Sequence, residues 1–346
     1  MTARPVIIQD LLRQRARQGQ RRLRIIALLV ALTLAIFSLT LVLGQSFTPP
    51  MDVLRVLLGH DVPGAGFTVG QLRLPRALLC ILAGLSFGLG GVAFQIMLRN
   101  PLASPDIIGI SSGASAAAVF AIVVLSLKGP IVSVFAVVAG LGVALSVYAL
   151  SSRNGVAGTR LILVGIGISA MLESVIAYIL SNAPAWSLQE AMRWLTGSVN
   201  GAQLSQVAPL LIGLVVFGGM LLGRQRDLDA LRLGDDTAAA LGVRVGLTRI
   251  VVIIAAVGMI AIATAVTGPI AFVAFLSGPI AARIVGANGS LLLPSALIGA
   301  LLVLAGDYGG QFLLPSRYPV GVITGALGAP YLIFLIIRAN RTGGSL

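Results

Sequence analysis

The 346 residues are 57% hydrophobic and only 10% charged, which excludes a water-soluble globular fold, since soluble domains carry about 25% charged residues. The formal net charge of +13 would suggest nucleic acid in a soluble chain, but here the Arg residues sit in short runs between apolar stretches and read as topology signals, so no nucleic-acid partner is expected. Cys80 and His60 are the sole residues of their types, so neither an intrachain disulfide nor a His/Cys zinc site can be assembled. The lone lysine, Lys128, precedes Gly129 and Pro130, and the G-x-x-x-x-G-K-[ST] phosphate loop is absent. If a nucleotide drives this protein, another subunit binds it.

In chain order, residues 1–24 form a basic segment containing Arg4, Arg13, Arg15, Arg17, Arg21, Arg22 and Arg24. The apolar run at 25–44 exceeds the about 7–15 residues of a secretory signal core and lacks a small-residue cleavage site, so it reads as an uncleaved first span. Further spans are predicted at 75–98, 107–126, 130–150, 160–181, 206–223, 247–267, 269–284, 291–307 and 320–338. The expected fold is all-α: a polytopic membrane protein of about ten helices forming one domain over 25–338, with a cytoplasmic tail at 339–346. Placing the N-terminus inside leaves 18 cations inside and six outside, namely Arg55, Arg73, Arg76, Lys128, Arg193 and Arg317, which predicts that both termini are cytoplasmic. The short segment 269–284 is the weak point, because a re-entrant path there would change the count to 16 and 8. Ten crossings fit the charge bias better.

Glycine pairs at four-residue spacing, Gly84/Gly88, Gly109/Gly113 and Gly321/Gly325, predict close helix packing. Residues 100–114 are a polar, Pro- and Gly-rich break at the cytoplasmic ends of the second and third spans, either a tight turn or a gate. Glu173 falls near the middle of the fifth span, where an acid costs about 2.5–3.5 kcal/mol in lipid, so it should face a cavity or a partner. Asp307 near the outer end of the ninth span is expected to be a solvated rim residue. Trp186 and Trp194 fall where interfacial aromatics belong. Residues 224–249 are the longest polar stretch between spans on the cytoplasmic side. They predict a short helix from Asp227 to Leu233 stopped by Gly234, and a second from Asp236 to Leu241, capped by Asp235 and ended by Gly242.

Two sets of motifs together resemble a known family. The early set is Leu72-Arg73-Leu74-Pro75-Arg76, Gln95, Arg99-Asn100-Pro101-Leu102-Ala103 and Gly109-Ile110-Ser111-Ser112-Gly113-Ala114. The late set is Gly268-Pro269-Ile270-Ala271-Phe272-Val273, Pro319-Val320-Gly321-Val322-Ile323-Thr324-Gly325 and Gly328-Ala329-Pro330. In this order they resemble the membrane permeases of ABC importers for iron-siderophores, heme and cobalamin. One departure is Ile280 after Pro279, where many members have Pro-His.

The resemblance implies a permease that is not itself an enzyme and holds no cofactor, with ATP and magnesium on two cytoplasmic ATPase subunits. It also implies a second permease subunit, identical or related, and an extracytoplasmic substrate-binding protein, all in a bacterial inner membrane. Cargo would pass along a route involving Gln95, the gate residues Asn100 and Leu102, and Glu173. Residues Leu233, Gly234, Asp235, Asp236, Leu241 and Gly242 would couple to the ATPase, and Arg55, Arg193 and Arg317 would dock the acidic lobes of the binding protein. A ferric siderophore is the expected cargo, with heme or cobalamin as the alternative. A proton-coupled carrier using Glu173 is the reading from a different class, weakened by the lack of a second clear mid-span acid.

Overall fold

A computed structural model of the chain describes residues 3–105, 109–151, 158–286 and 289–341. Among them, seven helices are long and apolar enough to cross a membrane and three more are apolar but shorter, together accounting for the ten expected spans. Helix α1 (Ala3–Val42) carries the basic segment straight into the first span, since Arg, Gln and Leu favour helix and no proline interrupts 6–42. Its last carbonyls, on Leu41 and Val42, accept hydrogen bonds from the Arg73 guanidinium at 2.8 and 3.1 Å. This satisfies groups that every helix end leaves open.

The short α2 (Pro50–Leu57) and a π-helical turn (Gly66–Arg73) lead into α3 (Leu74–Leu98), the central helix. Then come α4 (Ile110–Val123), α5 (Pro130–Ser151), α6 (Gly158–Ser181) and the short α7 (Ala185–Leu195). The sixth span is built from α8 (Val207–Gly213) and α9 (Gly219–Gly223), joined by a π-helical turn. Two short helices, α10 (Gln225–Leu231) and α11 (Asp235–Ala240), precede α12 (Val245–Thr267), α13 (Val273–Val285), α14 (Leu292–Phe312) and α15 (Val320–Arg341).

Helix α3 is apolar on all sides and is enclosed by α12, α13 and α14. A Cβ on Gly84 or Gly88 would strike the backbone of Gly299 or Ser295 on α14, and one on Gly91 that of Ala274 on α13. These contacts also fix direction. Gly84 lies beside Ala300 and Gly88 beside Ser295, so α14 runs against α3, whereas Gly91 beside Ala274 and Gln95 beside Gly278 set α13 parallel to it.

Helix α13 spans 13 residues, about 20 Å, short of the about 30 Å hydrocarbon core. The irregular stretch 268–272 precedes it and extends the segment on the side of Thr267. Irregular backbone at this depth needs protein partners. Ser198 N–H donates to the Thr267 carbonyl at 2.6 Å, Thr267 Oγ1 to that of Gly268 at 3.0 Å, and Gly321 N–H to that of Gly197 at 3.1 Å.

The same antiparallel register corrects one expectation. Asp307 is not a solvated rim residue: it is 1% exposed and accepts two hydrogen bonds from Arg76, at 2.6 and 2.8 Å. Pairing α3 with α14 in the register set by the glycines brings these two side chains to the same level.

Candidate translocation and coupling site

Helix α3 ends because Arg99 turns left-handed (φ 52°), after which Asn100 N–H donates to the Gln95 carbonyl at 3.0 Å. The Asn100 side-chain oxygen accepts from Leu102 N–H at 2.8 Å, and Ala103 N–H donates to the Asn100 carbonyl at 3.0 Å. Such an Asx turn is a local preference of asparagine, and it holds Leu102 in a fixed direction. Leu102 lines a largely apolar cavity of about 590 Å³ with Phe87, Phe272, Phe275, Leu195 and Leu332, drawn from α3, α7, α13 and α15. Ser104 and Ser111 supply polar groups there, while residues 106–108 of the predicted gate lie outside the described residues.

Gln95 and Asn100 line a different, smaller cavity of about 290 Å³, together with Arg99, Arg232, Gly278 and Pro279. Gln95 is buried, and its amide donates to the Phe275 carbonyl at 2.9 Å. It thus ties α3 to α13. Phe272, quoted in the sequence only as part of a motif, adopts φ 64° without being glycine and stacks edge-to-face on Phe275 at 6.3 Å. A strained residue beside the larger cavity has no sequence signal, because the strain comes from the turn that starts α13.

In the segment 224–249 two short helices form as expected, but with shifted ends. They cover Gln225–Leu231 and Asp235–Ala240, and Gly234, at φ 107°, takes the N-cap position assigned to Asp235. The Asp235 carboxylate instead accepts two hydrogen bonds from Arg249 at the start of α12, at 3.0 and 2.8 Å, and lies 4.0 Å from Arg99. One acid therefore joins α11, α12 and the residue preceding Asn100. Asp227 makes a parallel tie, accepting from Arg224 at 2.9 Å and from Thr248 at 3.3 Å. Leu233 and Leu241 are 65% and 64% exposed, and Asp236 and Gly242 are exposed beside them.

Below this segment, Arg22 of α1 donates to the Ser290 carbonyl and Arg232 to that of Gly289 at 3.3 Å. Asp229 Oδ1 is buried without a hydrogen-bond partner, and burial pushes its carboxyl above the ordinary range despite the opposing pull of Arg232 and Arg22.

Glu173 is brought to neither cavity. It is exposed on α6, a helix that is itself little buried, and has no hydrogen-bond or ion-pair partner among the described residues. Arg55 is exposed with Asp52 at 3.5 Å, and Arg317 is exposed between α14 and α15. Arg193 closes α7 on the wall of a third cavity, beside Glu190 and Trp194. Trp186 is 55% exposed with the Lys128 ammonium 5.8 Å from its ring, as suits an interfacial aromatic.

The profile of the FecCD transport family matches residues 30–338. The ferric enterobactin transport system permease protein FepG of Escherichia coli (strain K12) is 38% identical over 84% of this chain and 88% of its own length. The achromobactin transport system permease protein CbrC of Dickeya dadantii (strain 3937) is 37% identical over 91% of this chain and 92% of its own. An inward-facing structure assigned to the metal-chelate type of ABC transporter superposes with a TM-score of 0.81 at 25% identity, covering 91% of this chain and 99% of that one. With the family profile spanning most of its length and full-length relatives at this identity, the chain belongs to the FecCD transport family, as a multi-pass permease subunit of an ABC importer in the bacterial inner membrane whose ATPase is a separate component.

Proposed function

We propose that this permease moves a ferric siderophore inward by alternating access at the interface with a second permease subunit, identical or related. The complex would include two cytoplasmic ATPase subunits and an extracytoplasmic binding protein. The observation that carries the cargo is the set of relatives at 33–38% identity whose names specify ferric enterobactin, achromobactin or iron(3+)-hydroxamate.

The cation bias supports an orientation with both termini, the Asn100 turn and α10–α11 in the cytoplasm. The apolar cavity at Leu102 then serves as half of the route and the Asn100 turn as its inner gate, with Gln95 holding α3 and α13 in register behind it. Leu233 and Leu241, exposed on a polar face, suit insertion into a groove on the ATPase. Glu173 supports α6 as the partner-facing helix, because its carboxylate would be costly against lipid. Arg317 and Arg55 suit an acidic docking partner.

The test is ATP-dependent uptake by the reconstituted complex, offered a panel of ferric siderophores, heme and cobalamin. Uptake of a ferric siderophore alone is expected, and uptake of heme or cobalamin instead would replace the cargo. In the same vesicles Glu173→Gln should change uptake by less than about tenfold, and an uncoupler should leave it intact while ATP is held constant. Loss in both arms would make the protein a proton-coupled carrier.

A further inference from the structure

The cavity beside Arg193 lies off the proposed route and measures about 780 Å³, within the about 300–1,000 Å³ typical of small-molecule sites. One wall is the first turns of α5 from Gly129 to Val138, and another is the end of α12 from Ile262 to Gly268. At 1.5 Å per residue the α5 wall is about 13 Å deep, close to the roughly 15 Å of one hydrocarbon leaflet and far short of two. Ser133 Oγ donates to the Ala265 carbonyl at 2.6 Å, fixing the two walls together. On the α5 side Val134 and Val138 are 59% and 65% exposed, so the lower part opens sideways where acyl chains lie.

The upper rim is polar. Glu190 and Arg193, three residues apart on α7, both line it, and neither side chain has an ion-pair or hydrogen-bond partner among the described residues. Residues at this spacing on a helix can pair with each other. Here both line the cavity, with Trp194, the residue after Arg193, beside them in the lining as an aromatic of the kind that membrane interfaces favour.

From this geometry we infer a binding site for one phospholipid with a phosphoethanolamine headgroup. Arg193 holds the phosphate, Glu190 accepts hydrogen bonds from the primary ammonium, and an acyl chain lies along Val134 and Val138. An anionic phosphoglycerol headgroup leaves Glu190 facing no cation, and a trimethylammonium cannot donate to it. In the orientation proposed above the site belongs to the outer leaflet, but the headgroup chemistry does not depend on that orientation. The bound lipid would brace α7 against α5 and α12.

The experiment is native mass spectrometry of the purified permease with phosphatidylethanolamine, phosphatidylglycerol and phosphatidylcholine of matched chains. Wild type should retain phosphatidylethanolamine about tenfold better than the other two, the weight of a charge-assisted hydrogen bond. Glu190→Gln should bring the three within about twofold of one another, Arg193→Ala should weaken all of them, and Val138→Trp should exclude all by filling the groove. Because neither charged side chain is paired among the described residues, thermal melting in detergent should stay within a few degrees for Glu190→Gln and Arg193→Ala. Equal retention of the three lipids by wild type would overturn the site. So would an unaltered preference in Glu190→Gln, or variants that instead lose the second permease subunit or the binding protein.

Discussion

Asp307 is 1% exposed near the end of α14, where an unpaired carboxylate would be buried without compensation. Its two hydrogen bonds from Arg76 remove that cost, and removing one partner leaves a buried charge worth about 3–5 kcal/mol. Asp307→Ala should therefore lower thermal stability in detergent strongly, while the paired change Arg76→Met with Asp307→Leu should recover most of it. A double variant no more stable than the single one would mean the pair contributes more than mutual neutralisation. Asp229 gives the opposite sign. Its carboxyl is raised by burial, so its protonated form suits the fold, and the associated stability is present at low pH and lost as pH rises through the folded value. Asp229→Asn should thus raise the melting temperature at pH 7 and have little effect below about pH 3, where the wild-type group is protonated in both states. Melting curves at the two pH values check this.

Among the elements, α3 is the fixed reference. Its glycines admit α14 and α13 at backbone distance, so Gly88→Val must push α14 outward; overpacking of this kind costs about 1–3 kcal/mol and should appear as reduced yield of folded protein on size exclusion. The pair α10–α11 behaves differently, being held by a few polar ties. Asp235 is 38% exposed, so its ion pairs add little to stability, about 0–1 kcal/mol. Their value is geometric: they join α11, which we propose faces the ATPase, to Arg249 on α12 and to Arg99 beside the Asn100 turn. Asp235→Lys should leave the protein inserted and folded while uptake falls well below ATP hydrolysis in the reconstituted complex. Unchanged uptake per ATP would reduce the segment to membrane-surface packing.

For the whole molecule, the charge distribution supports the proposal of a different partner at each end. Arg317 is exposed two residues before the Pro319-Val320-Gly321 motif. Arg317→Glu should weaken capture of the binding protein, and added salt should weaken the wild-type complex in the same assay, since exposed charges interact over about 8–10 Å at moderate ionic strength. A pull-down unaffected by either would take Arg317 out of the docking face.

The sequence by itself determined the ten apolar stretches, the charge bias and the two short polar helices of 225–240, because hydropathy, arginine placement and glycine stops act over a few residues. It also marked Asn100 and Leu102, whose turn is closed by their own backbone and side-chain atoms. What it left open was everything that depends on register between distant helices. Asp307 reads as a rim acid until α14 is laid against α3, and Asp235 reads as a helix cap until α12 supplies Arg249. The tie that Gln95 makes to the Phe275 carbonyl appears only once α13 is laid beside α3, and Glu190 and Arg193 gain a cavity only when α5, α7 and α12 converge. A side chain's local preference is written within a few residues of it, whereas its partner, and hence whether its charge is solvated, paired or left facing a ligand, is decided by helices that pack from far along the chain.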